Sequence, residues 1–95
     1  MPRLVILPKA RDDLREIGDY IARDNPGRAL SFINEIEARL RQVAARPQSF
    51  PSRKDLHAGL RSARHGRYLI FFREVQNTVQ IVRVLQGQRD LTRQL

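Results

Sequence analysis

Two arginines within predicted strands are the residues of this sequence best suited to bind an anion. Arg83 interrupts an otherwise apolar row along residues 79–85, and arginine rarely lies among apolar side chains without a partner. On an open sheet face near Arg61 of a preceding strand, it would form a pair of guanidiniums able to bind carboxylates or phosphates bidentately. The alternative is a structural ion pair of Arg83 with Asp90 or Glu74.

The two histidines, His57 and His65, are the conventional general bases near neutral pH. They lie in a predicted loop and a predicted turn, and no third group marks either as catalytic, so we interpret both as ordinary surface residues. The sequence has no Cys, no Ser-His-Asp order, no phosphate-binding loop, no dinucleotide motif and no metal-ligand spacing. We therefore expect no catalytic residues, no metal and no cofactor.

Hydrophobic periodicity predicts the elements that position these residues. Residues 3–7 form a short apolar run that predicts the first strand. Apolar residues then recur at helical spacing and predict two helices, the first from about Pro8 to Arg23 and the second from about Pro26 to before Pro47. So short a connection predicts an antiparallel helical hairpin, whose acidic and basic side chains should mostly face water.

The second half of the chain predicts a loop and three strands. Residues 47–58 form the loop, and the strands are expected at Gly59–Arg64, Arg67–Glu74 and Thr78–Leu85. Residues 88–95 predict a loose tail or a final helical turn. The order β-α-α-β-β-β predicts one α+β domain over the whole chain, with a single antiparallel-rich sheet and an N-terminal helical hairpin packed on one face.

Strict alternation along the last two strands predicts what each sheet face carries. The third strand has apolar groups on both faces, so it should be central. In the fourth strand, alternation places one set of side chains on a common face: Val79, Ile81, Arg83 and Leu85. Since the helices cover one face only, the other is either a groove for a partner or is covered by the loop at 47–58 and the tail.

The charge is strongly positive and unevenly distributed. Eighteen basic and ten acidic residues give a net charge of +8, of which residues 1–46 contribute +2 and residues 47–95 contribute +6. This field favours nucleic acid or an acidic protein as partner; alternatively, arginine simply serves wherever a solvated cation is needed. The apolar runs are too short to span a bilayer and no signal peptide is evident, so we expect a cytoplasmic protein without a membrane partner.

An ordered set of segments resembles the ParE branch of the RelE/ParE toxin superfamily. The resemblance covers nearly the whole chain and rests on these segments: Leu7–Leu14, Ile17–Ala22, Pro26 with Ala29, Gly59–Arg61, Gly66–Arg73 and Ile81–Leu91. One departure is Gln86, where the family often carries histidine. Glutamine can hydrogen-bond but cannot take up a proton near neutral pH.

The resemblance implies the toxin of a type II toxin–antitoxin module. Its partner would be a ParD-like antitoxin that binds DNA, so operator DNA would be contacted only indirectly. The target would be DNA gyrase, which the toxin would inhibit without being an enzyme itself. The residues expected on the functional surface are Arg61, Arg67, Tyr68, Arg83 and Arg89, with Arg61, Arg73 and Arg83 binding antitoxin together with exposed parts of the helices. Arg61→Ala and Arg83→Ala are expected to spare folding and to reduce toxicity.

Two other functions remain open at this point. A RelE-like ribosome-dependent mRNA endonuclease would need an acid–base pair beside a phosphate-binding group. Residues 86–95 contain no Tyr or His, which such nucleases usually place there. The third possibility is a non-toxic interaction domain that only binds an antitoxin or DNA.

Overall fold

The elements follow the order that the hydrophobic pattern predicts, in a computed structural model that describes residues 2–88 and 90–95. Arg89, expected on the functional surface, lies outside the described residues. The elements are β1 (Arg3–Ile6), α1 (Pro8–Asp24), α2 (Pro26–Ala45), a 3-10 turn (Pro47–Ser49), β2 (Arg61–His65), β3 (Tyr68–Val75), β4 (Thr78–Gln86) and α3 (Leu91–Gln94). The predicted helices and strands are confirmed, and the tail forms the helical turn.

A single residue, Asn25, joins the two long helices. Its backbone N–H donates to the Ile21 carbonyl at 2.9 Å and closes α1. Its side-chain oxygen accepts from the Arg28 backbone N–H at 3.0 Å and caps α2. Pro26 follows at the first position of α2, where its fixed φ suits a helix and its missing N–H costs nothing. The hairpin is therefore set by local chemistry.

The four strands form one mixed sheet in the order β1-β4-β3-β2. β2, β3 and β4 are antiparallel neighbours, whereas β1 pairs with β4 in parallel. Gln76 and Asn77 link β3 to β4 and both have positive φ angles, 49° and 59°. That conformation defines the two-residue turn whose twist suits adjacent antiparallel strands.

Both faces of the sheet are covered. The helices pack on the main core, whose buried side chains include Phe32, Ile36, Ile70, Phe72 and Ile81. On the other face, Leu56 of the loop and Leu91 and Leu95 of the tail pack against a second cluster, which consists of Leu60, Leu69, Phe71 and Leu85. Of the two alternatives for this face, cover by the loop and tail is the one observed. Within residues 2–88 and 90–95, no helix is long and apolar enough to cross a membrane.

A β-bulge in β4 makes the prediction of strict alternation wrong. Ile81 pairs with Phe72 and Arg83 pairs with Phe71, so Val82 is an extra residue on β4. As a result, residues 79, 81 and 84 pack in the main core, while residues 82 and 85 pack in the second cluster. The bulge sets Arg83 at the edge of β4, just beyond the last residue that pairs with β1.

Candidate functional site

Asp13 of α1 closes the edge of β4 at the point where β1 ends. The last main-chain contact between these segments is the Leu7 N–H donating to the Ile81 carbonyl at 3.0 Å. Beyond it, one oxygen of the Asp13 carboxylate accepts from the Val84 backbone N–H at 2.9 Å. The carboxylate thus satisfies a strand-edge donor that β1 is too short to reach.

Arg83 holds the same carboxylate in a bidentate ion pair. Its Nε and Nη2 donate to the two Asp13 oxygens at 2.7 Å and 2.9 Å, and the Arg83 and Asp13 side chains are only 16% and 9% exposed. Its Nη1 donates to the Gln94 carbonyl at 2.8 Å. The hydrogen bonds that Arg83 donates to Asp13 raise the pKa of Arg83, so the guanidinium stays charged. The ion pair joins α1, β4 and the tail.

The partner of Arg83 is therefore neither Asp90 nor Glu74, and that prediction is wrong. A signal was present in the sequence, because Ala10, Asp13 and Ile17 share one helical stripe at spacings of three and four residues. An acidic residue inside an apolar stripe is expected to be buried and to need a cationic partner, which an arginine in an apolar strand could provide. The expectation that acidic helix residues face water fails for Asp13.

Arg61 does not join Arg83 in an anion-binding pair. β3 lies between β2 and β4 in the sheet, and the Arg61 Nη1 donates instead to the Phe50 carbonyl at 2.7 Å. The guanidinium of Arg61 anchors the loop that leads into β2. The structure thus does not bring Arg61 and Arg83 together, and each binds a different partner.

The other expected surface residues divide by exposure. Tyr68 is buried in the main core, where its ring lies edge-on to Phe32 with centroids 5.4 Å apart. Arg67 is exposed in the β2–β3 turn. Arg73 is also exposed, and its Nε donates to the Gln80 side chain at 2.8 Å. Among the described residues of this set, Arg67 and Arg73 are the exposed ones.

Both histidines are in structural contacts. The Nε2 of His57 lies 3.1 Å from the main-chain oxygen of Leu95 and ties the loop to the tail. The Nε2 of His65 lies 2.9 Å from Glu35, which also accepts from Arg28 at 2.7 Å. The hydrogen bond from Arg28 is the main cause of a lowered pKa of Glu35, and the contact with His65 lowers it further. Neither histidine is hydrogen-bonded to Asp13 or Arg83 within the described residues.

An apolar groove of about 360 Å³ runs between α1, α2 and β1 and is here named the helix groove. Its residues are Ile6, Arg11, Leu14, Arg15, Ile33, Ile36, Glu37 and Leu40. β1 is an edge strand next to it, and two apolar residues of that strand, Leu4 and Val5, are exposed. The helix groove therefore combines apolar lining, an open strand edge and cationic groups.

A second cavity, of about 510 Å³, lies on the other side of α1 and is here named the edge cleft. It separates α1 from the end of β4, and its residues are Asp13, Glu16, Ile17, Asp19, Tyr20, Arg23, Tyr68, Val84, Leu85 and Gln86. Gln86, the departure noted in the sequence, thus faces a cavity with three carboxylates in its lining. Neither the helix groove nor the edge cleft follows from sequence spacing alone.

Residues 4–91 match the family model described as the ParE toxin of the type II toxin–antitoxin system parDE. The chain belongs to the ParE toxin family. A solved structure described as a chromosomal ParDE toxin–antitoxin system from P. aeruginosa is similar, with a TM-score of 0.78 and 22% sequence identity. The similarity covers 90% of this chain and 96% of that one, and it shows that the ParE-like fold is shared. No curated protein matches this ParE chain.

Proposed function

We propose that this chain is the toxin of a type II module, that a ParD-like antitoxin neutralises it, and that it inhibits DNA gyrase rather than catalysing a reaction. The observation that carries the proposal is the ParE family match over residues 4–91. That match spans α1, α2 and all of the sheet except Arg3, so the residues that line the helix groove and the edge cleft all lie within it.

The helix groove is the proposed antitoxin site. Its apolar lining suits the apolar side chains of a segment that folds on binding, and Arg11 and Arg15 at the same groove suit acidic ones. The net charge of +8 attracts an acidic partner from a distance. Of the arginines expected to bind antitoxin, exposed Arg73 remains a proposed contact. Arg61 and Arg83 are proposed to affect antitoxin binding only indirectly, by holding the loop and the tail in place.

The exposed β2–β3 turn is the proposed contact to the target. Arg67 projects from this turn without an ion-pair partner among the described residues. Tyr68 contributes by supporting the turn from the core, where it packs on Phe32. Operator DNA would be reached through the antitoxin. Inhibition by contact needs exposed, preorganised groups and no proton transfer, which is what this turn offers.

The mRNA endonuclease remains the less favoured function. It requires an acid–base pair near a phosphate-binding group. Residues 86–95 carry no Tyr or His, and His57 and His65 contact Leu95 and Glu35. The guanidinium of Arg83, which is partly buried, is bound to Asp13. These contacts support a toxin that acts by binding, and so does its membership of the ParE toxin family.

Inducible expression in bacterial cells, alone and with the antitoxin encoded beside this chain, tests the proposal. We expect growth arrest with induction of the DNA-damage response, and relief when the antitoxin is co-expressed. Arrest with ribosome-dependent mRNA cleavage and no DNA damage would favour the endonuclease instead. Absence of arrest from a soluble, folded chain would favour the interaction domain.

A charge reversal in the helix groove tests the antitoxin site separately. Arg15→Glu should weaken antitoxin binding by about tenfold, because it places a carboxylate where an acidic segment is proposed to lie. Arg41→Glu is the matched control, since Arg41 is exposed on α2 and lines neither the helix groove nor the edge cleft. Equal Kd values for the two variants would contradict the assignment. Calorimetry with purified antitoxin measures them.

A further inference from the structure

Within residues 2–88 and 90–95, two backbone groups at the end of β4 face the edge cleft without a main-chain partner. Gly87 donates its N–H to the Arg67 carbonyl at 2.9 Å, toward β3. Because backbone groups alternate in direction along a strand, those of Val84 and Gln86 point away from β3. The Val84 N–H is taken by Asp13. The Val84 carbonyl and the Gln86 N–H are left facing α1 across the cleft, with no main-chain partner among the described residues.

The edge cleft has room for a short strand. β1 pairs with β4 only from Thr78 to Ile81. The part of the β4 edge that β1 does not cover continues past the Asp13 carboxylate, which binds the Val84 N–H. The cleft volume of about 510 Å³ is within the range of pockets that enclose small ligands. Ile17, Tyr20 and Tyr68 give it apolar and aromatic surface, against which alternate side chains of a strand would pack.

The charges in the cleft favour a cationic occupant. Asp13 is neutralised by Arg83. Glu16 and Asp19 have no partner within ion-pair distance in the described part of the chain, although the charge of Glu16 also acts on Arg83 and raises its pKa. Arg23 lies in the same lining, close to the C-terminal end of α1. Although the net charge of the chain is +8, Glu16 and Asp19 place negative charge next to the uncovered edge of β4.

We propose that the edge cleft binds an extended polypeptide segment carrying lysine or arginine. The segment adds to β4 at Val84–Gln86 as a short strand, and its cationic side chain lies between Glu16 and Asp19. Main-chain hydrogen bonds supply affinity in strand addition, and the side-chain surroundings supply the preference for positive charge. This inference goes beyond the proposed toxin function and does not depend on it.

The edge cleft and the helix groove lie on different faces of α1. The helix groove uses Arg11, Leu14 and Arg15, whereas the edge cleft uses Asp13, Glu16 and Tyr20. An acidic segment in the first and a cationic segment in the second therefore do not compete for the same residues. The chain can hold two partners of opposite charge at once.

Amide NMR titration of the full chain with capped pentapeptides tests the proposal. The probe alternates valine with lysine (acetyl-Val-Lys-Val-Lys-Val-amide), and its counterpart replaces lysine with glutamate. We expect the lysine peptide to shift the amide signals of Val84–Gln86 and of the facing α1 residues, with a Kd about tenfold or more below that of the glutamate peptide. Equal affinities, shifts confined to the helix groove, or no binding would overturn the proposal.

Two further measurements separate strand addition from simple charge attraction. N-methylation of one alternate set of peptide amides should abolish binding, while methylation of the other set should leave it, because only one set faces β4. Glu16→Gln with Asp19→Asn should raise the Kd of the lysine peptide about fivefold or more, whereas Asp12→Asn, an exposed α1 residue outside the cleft, should not. Equal binding of both methylated peptides, or equal effects of these substitutions, would overturn the proposal.

Discussion

Arg83→Ala should destabilise the fold by about 3 kcal/mol, because it leaves the buried Asp13 carboxylate without its counter-ion. The substitution removes two hydrogen bonds to Asp13 and one to the Gln94 carbonyl. Breaking a buried ion pair from one side costs about 3–5 kcal/mol. The lower end applies since Arg83 retains some exposure and the Val84 N–H still binds Asp13. The ion pair with Asp13 thus predicts a loss of stability, in place of the expectation from the sequence that Arg83→Ala spares folding.

Thermal and denaturant unfolding of the purified chain measure this loss. At about 4–8 °C per kcal/mol for a domain of this size, the midpoint should fall by roughly 12–24 °C. Arg15→Ala is the matched control, because Arg15 pairs with Asp12 at 2.9 Å but both side chains are more than 60% exposed. Such exposed pairs contribute about 1 kcal/mol or less.

A double-mutant cycle isolates the ion pair from the packing of the arginine stem. Arg83→Met keeps much of the stem, and Asp13→Asn removes the charge. The coupling energy between the two substitutions should be about 1.5–3 kcal/mol, as for contacting members of one hydrogen-bond network. If Arg83→Ala costs no more than Arg15→Ala, or the coupling is near zero, the structural role assigned to this ion pair is refuted.

Three further predictions concern other parts of the molecule. The hydrogen bonds from Arg28 and His65 lower the folded-state pKa of Glu35, so its stabilising contribution is present above its ordinary pKa of about 4.3 and is lost as pH falls through the lowered value. The stability difference between wild type and Glu35→Gln in urea titrations should shrink over that range; a constant difference would contradict it. Gly66→Ala should lower the free energy of unfolding by about 1 kcal/mol in the same assay, because Gly66 has a φ of 58°, which is strained for a residue with a side chain. No further cost from a clash is expected, since no atom lies within 4 Å of the added Cβ. Leu91→Ala should cost about 1–2 kcal/mol and increase binding of a hydrophobic dye, since Leu91 covers the second cluster; unchanged dye binding would contradict that cover.

Much of the fold could be predicted because local chemistry decides it. The apolar stripes of α1 and α2 follow helical spacing, and the Asn25-Pro26 step both ends one helix and begins the next. The turn at residues 76–77 separates two β-rich runs by the two residues that a tight hairpin needs. The parallel pairing of β1 with β4 is different, because it joins residues about 75 positions apart and leaves no local signature.

The site could be predicted far less well. Arg83 was recognisable as a residue in need of a partner, but that partner is 70 positions away in the chain. The bulge at Val82 is decided by how β4 meets both β3 and the Asp13 carboxylate, so period-two alternation could not reveal it. The edge cleft exists because β1 is shorter than β4, a fact of tertiary pairing that no motif encodes.

A supercoiling assay with purified DNA gyrase, relaxed plasmid and this chain shows whether the toxin inhibits gyrase. We expect loss of supercoiling or trapped cleavage complexes as the toxin is added, with recovery when antitoxin is present in excess. Arg67→Ala should weaken the effect, whereas exposed Arg41→Ala should not. Undiminished supercoiling with a large excess of folded toxin would contradict the claim that gyrase is its target.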